Sequence, residues 1–106
     1  MCGIFTLLNA NSDTSFEGKG INIPDKKEFI DNNFKKGANR GPEFSKLQEY
    51  DDSNLILGFH RLAINGLNSE SNQPLSTQGI DLICNGEIYN YKELYQTMNI
   101  TNPISQ

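Results

Sequence analysis

The feature that most constrains the fold is a strongly apolar run at residues 54–64, Asn-Leu-Ile-Leu-Gly-Phe-His-Arg-Leu-Ala-Ile. Aliphatic and aromatic side chains at this density predict a central strand. The chain has 106 residues, which suits one small domain and is too short for two. We therefore expect a single small domain with this strand near its middle.

Other segments predict a mixed fold. Phe29, Ile30 and Phe34 share one face of a helix that begins after Pro24-Asp25, and Asn85-Gly86 between two apolar runs predicts a hairpin turn. Further predicted strands are 2–8, 80–84 and 87–91, the helices are 26–34 and 92–98, and the loops are 9–22, 65–78 and the tail from Asn99.

Charge and composition exclude several classes of function. The net charge of −4 and a pI near 4.8 disfavour nucleic acid and anionic membranes as partners, because both would repel the chain. No apolar run is long enough to span a bilayer, and no basic leader precedes residues 2–8, so a cytoplasmic location is expected. The single histidine, His60, excludes sites with two His ligands, and no metal site is predicted. Cys2 and Cys84 are expected to remain thiols.

Cys2-Gly3 can carry nucleophilic chemistry. If Met1 is removed, the α-amine of Cys2 lies beside its own thiol, and its usual pKa of about 7.7–8.0 leaves a useful fraction neutral near pH 7. That amine can act as the general base without a histidine. Taken alone, the motif favours the simpler interpretation, a small buried side chain at the start of an edge strand.

Two arginines lie in distinctive settings. Arg40 precedes Gly41-Pro42, which predicts a rigid turn that either presents the guanidinium to a site or leaves it in solvent. Arg61 lies in the apolar run, where it either grips a carboxylate or sits on a solvent face, because an unpaired buried charge is costly. His60 points to the opposite face from Arg61 and is interpreted as structural.

The Asn85-Gly86 turn has a second interpretation. An asparagine amide and a glycine N–H can stabilise a negative oxygen, and glycine allows the backbone to approach a ligand closely. A tight turn and an oxyanion site are compatible.

Five motifs in order carry a family resemblance. They are Met-Cys-Gly-Ile at the start, Arg-Gly-Pro-Glu-x-Ser at 40–45, Gly-Phe-His-Arg-Leu-Ala-Ile at 58–64, Asn-Gln-Pro-Leu at 72–75 and Asn-Gly-Glu-Ile-Tyr-Asn-Tyr at 85–91. Together they resemble the N-terminal glutaminase domain of asparagine synthetases. Those domains are class II glutamine amidotransferases, which are N-terminal-nucleophile hydrolases.

The resemblance implies a fold and a domain extent. It implies an α+β fold, the αββα sandwich of N-terminal-nucleophile hydrolases. Residues 1–106 would form a partial type 2 glutamine amidotransferase domain, about the first half of the sandwich, since such domains are roughly twice this long. The Ser-Asp pair that grips the substrate amine in the family is expected beyond Gln106.

The resemblance also implies roles for individual residues. Cys2 would attack the carboxamide of L-glutamine and form a thioester, and Asn85 and Gly86 would stabilise the oxyanion. Arg61 would hold the α-carboxylate, and Arg40 would support the site. The remaining implied glutamine-binding residues are Leu62, Ala63, Ile64, Asn65 and Glu87.

The expected partners follow from the same resemblance. The substrate would be L-glutamine, and the ammonia would pass to a separate synthetase chain or a full-length homologue. No cofactor is expected in this chain, because ATP and Mg²⁺ would belong to a synthetase domain that it lacks. The alternatives are an inactive truncated relic and a fragment that binds glutamine or docks on a homologue without catalysis.

Overall fold

The computed structural model describes residues 1–9 and 26–103. The predictions for residues 10–25, including the helix start at Pro24-Asp25, and for residues 104–106 lie outside the described residues. Within the described ranges the elements are β1 (Gly3–Leu8), α1 (Lys26–Lys35), β2 (Phe44–Tyr50), β3 (Leu55–Arg61), β4 (Leu75–Thr77), β5 (Ile80–Leu82) and α2 (Tyr91–Thr97). Short 3₁₀ turns occupy Ala38–Arg40, Asp51–Ser53 and Ser69–Ser71.

The predicted central strand is the middle of a three-stranded antiparallel sheet of order β1-β3-β2. It spans seven residues, shorter than the predicted run, because the chain leaves the sheet after Arg61. Six of its seven residues are buried, which explains why this run is so apolar. The register places Gly3 opposite His60 and Phe44 opposite Arg61.

Helix α1 covers one face of this sheet. Ile30 packs with Ile56 of β3, and Phe5, Leu7 and Leu47 surround that pair. The ring of Phe34 lies over Gly58, where a Cβ would come within 2.7 Å of the ring. Gly58 therefore allows the helix to approach the sheet closely, at a position where any larger side chain would force it away.

The other face of β3 carries Leu57, Phe59 and Arg61, since side chains alternate along a strand. All three are buried, and Phe59 is only 1% exposed. The candidate site lies on this face, at the end of the strand where Arg61 stands.

The structure corrects the prediction for the second half of the chain. The predicted loop 65–78 contains β4, which forms a hairpin with β5 through Gln78-Gly79. Both turn residues have positive φ, 49° and 78°, as a two-residue turn between strands requires. Asn85-Gly86 is not a hairpin turn, because β5 ends at Leu82 and the predicted strand 87–91 does not form.

Three smaller corrections concern individual elements. Phe29 does not share the buried face of α1 with Ile30 and Phe34 but is 36% exposed. Strand β1 is buried on one face only, since its residues alternate between covered and exposed positions. Strand β2 was not predicted at all. Together the helices and antiparallel sheets make an α+β fold, as expected.

Candidate active site

Cys2 lies immediately before β1, against the segment that follows β3. Its thiol contacts both backbone groups of Leu62: the Leu62 N–H donates to Sγ at 3.4 Å, and Sγ lies 3.6 Å from the Leu62 carbonyl oxygen. Cys2 is half-buried. The sheet register brings these segments together, because Gly3 pairs with His60 just before the chain turns away at Leu62.

The carbonyl of Cys2 is held by two side chains from distant parts of the sequence. Arg40 donates through Nε at 3.2 Å, and Asn85 donates through Nδ2 at 3.1 Å. Both residues were predicted as site residues, and the structure brings both to Cys2. Arg40 is exposed to solvent, as in the alternative interpretation, and it contacts the site through this one hydrogen bond.

A cleft of about 620 Å³ opens beside Cys2. Its walls contain all the predicted glutamine-binding residues except Ala63. The predicted residues that line it are Cys2, Arg61, Leu62, Ile64, Asn65, Asn85, Gly86 and Glu87. The wall also contains residues that were not predicted from the sequence, namely Met1, Phe59, Glu70, Ser71, Gln73, Leu75, Cys84 and Tyr89.

Cys2 also borders a second cavity of about 390 Å³ on the α1 side, together with Arg40, Asn85 and His60. The segment that carries the thiol therefore runs between two spaces. Only the larger one includes Arg61 and Glu87, the residues with charges suited to an amino acid head group.

Arg61 is buried, 7% exposed, so the solvent-face alternative is wrong. Its Nη1 donates to the carbonyl of Asn68 at 3.0 Å and to Oδ1 of Asn72 at 2.7 Å. Its Nη2 donates to the carbonyls of Asn65 and Gly66. The guanidinium therefore organises the loop after β3. The sequence does not predict these contacts, because every residue carries a backbone carbonyl.

His60 lies on the α1 face, as predicted from its position next to Arg61. The ring stacks on Phe34, with centroids 4.1 Å apart. Nε2 lies 2.8 Å from the Phe34 carbonyl, which can only accept, so Nε2 carries the proton. In the neutral ring Nδ1 then accepts from the Ser45 hydroxyl at 2.6 Å. These contacts agree with a structural role.

Cys84 and Cys2 are both free thiols, as predicted. Within residues 1–9 and 26–103, no cluster of three or more His, Cys, Asp or Glu side chains is arranged to hold a metal ion. No helix in these ranges is long and apolar enough to cross a membrane.

Comparison with known proteins supports the resemblance seen in the motifs. Residues 1–104 match a protein family described as a glutamine amidotransferase domain. The chain is 36% identical over 103 residues to a probable glutamine-hydrolysing asparagine synthetase of Acanthamoeba polyphaga mimivirus. That alignment covers 94% of this chain and 17% of the relative, so the chain spans about one sixth of the relative's length. No solved structure matches the chain.

Proposed function

The chain belongs to the family of glutamine amidotransferase domains, and from this premise we propose that it hydrolyses L-glutamine with Cys2 as the nucleophile. The observation that carries the proposal is that groups from distant parts of the sequence converge on Cys2. Its thiol meets the Leu62 backbone, and its carbonyl is held by Arg40 and Asn85, in the wall of a cleft that also contains Arg61.

The first step requires removal of Met1, which frees the α-amine of Cys2. The neutral amine takes the thiol proton as Sγ attacks the side-chain carbonyl carbon of glutamine. The S–C bond forms and the carbonyl oxygen becomes an oxyanion. The amine returns the proton to the amide nitrogen, the C–N bond breaks, and ammonia leaves a thioester on Cys2. Water then cleaves the thioester to glutamate and restores the thiol.

Asn85 and Gly86 are assigned to the oxyanion. The side-chain amide of Asn85 has two N–H donors, and one of them is bonded to the Cys2 carbonyl. The second is assigned to the oxyanion, together with the Gly86 N–H. Gly86 is exposed in the cleft wall, so its N–H can be approached by a ligand. Removal of one such donor typically lowers kcat by about 10²–10³-fold.

Arg61 and Glu87 are assigned to the head group of glutamine, the α-carboxylate and the α-amine respectively. Both line the cleft. Since the terminal nitrogens of Arg61 donate to loop oxygens, carboxylate binding would exchange at least one of those acceptors for the substrate. The segment Leu62 to Asn65 would provide further contacts.

The ammonia is assigned to an acceptor outside this chain. Since the mimivirus relative is a probable asparagine synthetase, we propose that the acceptor is aspartate activated by a synthetase, which uses ATP and Mg²⁺. A cytoplasmic location and an αββα sandwich completed by further polypeptide belong to the same proposal.

The nucleophile is tested by measuring glutamate release from glutamine by the 106-residue chain and by Cys2→Ala. We expect release from the wild type and none above background from the variant. Intact mass spectrometry of the active protein should show loss of Met1. Release that is unchanged by Cys2→Ala, or full activity with Met1 retained, would contradict the mechanism.

Cys84 provides an internal control for the same assignment. A glutamine analogue with an electrophilic ketone in place of the carboxamide should alkylate Cys2 and leave Cys84 unmodified, although both thiols lie in the cleft wall. Excess glutamine should protect Cys2. Equal labelling of both cysteines, without protection, would indicate ordinary thiol reactivity and no glutamine site. Binding of glutamine without any turnover would favour the non-catalytic alternative.

A further inference from the structure

The motif Asn-Gln-Pro-Leu at 72–75 has no assigned role, yet its first two side chains reach two different parts of the cleft. We propose that Gln73 is a positioning residue that holds the oxyanion segment 84–86 in place, and that Asn72 does the same for Arg61. The inference rests on the proposed glutaminase function. It adds the residues that set the spacing between the oxyanion segment 84–86 and Arg61, the two groups proposed to bind the substrate.

The side chain of Gln73 forms a reciprocal pair with the backbone of Cys84. The Cys84 N–H donates to Oε1 at 2.6 Å, and Nε2 donates to the Cys84 carbonyl at 3.0 Å. A side-chain carboxamide can do this because it carries an acceptor and a donor side by side, like a peptide group. Two bonds from one planar group restrain both the position and the orientation of Cys84.

The sheet register explains why a side chain is needed at this point. Strands β4 and β5 pair up to Leu75 opposite Leu82. Extending that antiparallel register by two residues in each direction brings Gln73 opposite Cys84. Pro74 lies between Gln73 and β4 and has no N–H to donate, so the ladder ends there. The Gln73 side chain provides the next pair of hydrogen bonds in place of the backbone.

The restraint passes directly to the oxyanion residues. Asn85 follows Cys84, and its Nδ2 donates to the Cys2 carbonyl. Gly86 comes next, and both are exposed. With Cys84 held by Gln73 and Asn85 held by Cys2, the segment is fixed on both sides of the peptide bond that joins Cys84 to Asn85. Without Gln73, the N–H and the carbonyl of Cys84 would lose these two hydrogen bonds.

Asn72 contacts Arg61, which is proposed to bind the α-carboxylate of the substrate. Its Oδ1 accepts from Nη1 of Arg61 at 2.7 Å. Adjacent residues of one peptide thus contact the proposed oxyanion segment and the proposed carboxylate-binding arginine. Their covalent link restrains the separation of these two groups, which a bound glutamine would have to span.

The two residues should therefore affect different kinetic constants. A shifted oxyanion segment weakens an interaction made in the transition state, which lowers kcat. A shifted Arg61 weakens binding of the head group in both ground and transition states, which raises KM. Misplacing a reacting group by about 1 Å can lower the rate by about 100-fold.

The test uses Gln73→Glu, Gln73→Met and Asn72→Ala in the 106-residue chain. Gln73→Glu keeps the shape and the acceptor but cannot donate to the Cys84 carbonyl, and Gln73→Met removes both bonds. We expect about a 10-fold or larger drop in kcat for both, with KM within about threefold of wild type, and a KM increase for Asn72→Ala. Asn72→Asp retains an acceptor for Arg61 and should restore KM toward wild type.

Gln96→Glu on the exposed face of α2 is the matched control, with wild-type constants expected. Hydrogen exchange at the Cys84 amide provides a readout independent of turnover: it should be faster in Gln73→Met than in wild type or the control. Circular dichroism identifies variants that have lost the fold, and Gln73→Glu, which is isosteric, keeps the test valid if Gln73→Met unfolds.

The outcomes separate the two proposals. In an active wild type, unchanged kcat and unchanged Cys84 exchange in the Gln73 variants would overturn this inference and leave the glutaminase function standing. A Gln73 effect on KM alone would also overturn it. If the wild type releases no glutamate, the proposed function fails, and the inference that rests on it fails with it.

Discussion

Arg61 shows how much of a residue's role depends on neighbours that the sequence does not display. A charge in an apolar strand predicts either a partner or a solvent face, and the two were equally plausible. The structure buries the side chain and satisfies its terminal nitrogens with loop oxygens. Three of those acceptors are backbone carbonyls, a group that every residue has, so no sequence pattern could identify them.

Replacement of Arg61 by Met should destabilise the fold. The variant leaves the carbonyls of Asn65, Gly66 and Asn68 without their donor, and each hydrogen bond to a charged group contributes about 1.5–3 kcal/mol. Since such contributions overlap, we expect a loss of about 3 kcal/mol in the free energy of unfolding, measured by urea denaturation.

Arg40→Met is the matched control. Arg40 is exposed, and within residues 1–9 and 26–103 its side chain makes one hydrogen bond, to the Cys2 carbonyl, so its replacement should cost about 1 kcal/mol or less. Equal losses for the two variants would show that burial and the loop bonds of Arg61 do not matter to stability.

At the scale of elements, the hairpin formed where the sequence signal was weaker. Asn-Gly is the stronger turn signal, yet Gln78-Gly79 makes the hairpin, with a glutamine at positive φ. The reason is what flanks each dipeptide. Thr77 and Ile80 pair across Gln78-Gly79, whereas Asn85 uses its side chain to reach Cys2 and the following residues form no strand.

Strand β2, an edge strand like β1, escaped prediction because its own sequence carries only a weak strand signal. Its sequence, Phe-Ser-Lys-Leu-Gln-Glu-Tyr, mixes charged and apolar residues and has little strand character of its own. It becomes a strand by pairing along its whole length with β3. Lys46 and Glu49 on such an edge also discourage pairing with other chains.

The contact between β2 and the hairpin β4–β5 should make stability sensitive to alkaline pH. Tyr50 ends β2, and burial together with the negative charge of the nearby Asp81 carboxylate raises the pKa of Tyr50 above its ordinary value of 10.0. Asp81 accepts from Ser76, so the carboxylate is held in place.

A raised pKa means that the native protein keeps this proton longer than the unfolded chain. The stabilising contribution is therefore complete below the ordinary value and is lost as the pH rises through the raised one. As the pH rises past the ordinary value of 10.0, unfolding measurements should show a steeper loss of stability for wild type than for Tyr50→Phe, which has no side-chain proton to lose. Parallel curves for the two proteins would contradict the assignment, and Asp81→Asn should give an intermediate slope.

At the scale of the whole molecule, the candidate site is assembled from segments spread along the chain. Cys2, Arg40, Arg61 and the segment 84–87 meet because β1 and β3 are neighbours and the loops after β3 and β5 return to the same end of the sheet. Membership of the family accounts for the order of the motifs along the sequence. The pairing of strands in the sheet brings these motifs together at one site.

The proposed acceptor is tested at this scale. The 106-residue chain, glutamine labelled with ¹⁵N in its amide, aspartate, ATP and Mg²⁺ would be mixed with the mimivirus relative deleted for the segment that matches this chain. We expect ¹⁵N in the amide of asparagine, and none when Cys2→Ala replaces the wild type. Asparagine formed from free ammonia but not from glutamine would contradict transfer between the two chains.

The sequence by itself determined the family, the central strand and the identity of half of the described cleft residues, because these depend on side-chain types in a fixed order. The sequence alone identifies Cys2, Arg61, Asn85, Gly86 and Glu87 as candidate site residues. Their catalytic roles stay predictions.

Only the tertiary structure decided which groups touch. The hairpin turns at Gln78-Gly79, and β2 forms an edge strand. The side chain of Gln73 contacts Cys84, and that of Asn72 contacts Arg61. The physical reason is the same in each case: these features depend on backbone N–H and carbonyl groups, which are identical from residue to residue. Their partners are chosen by the folded path of the chain.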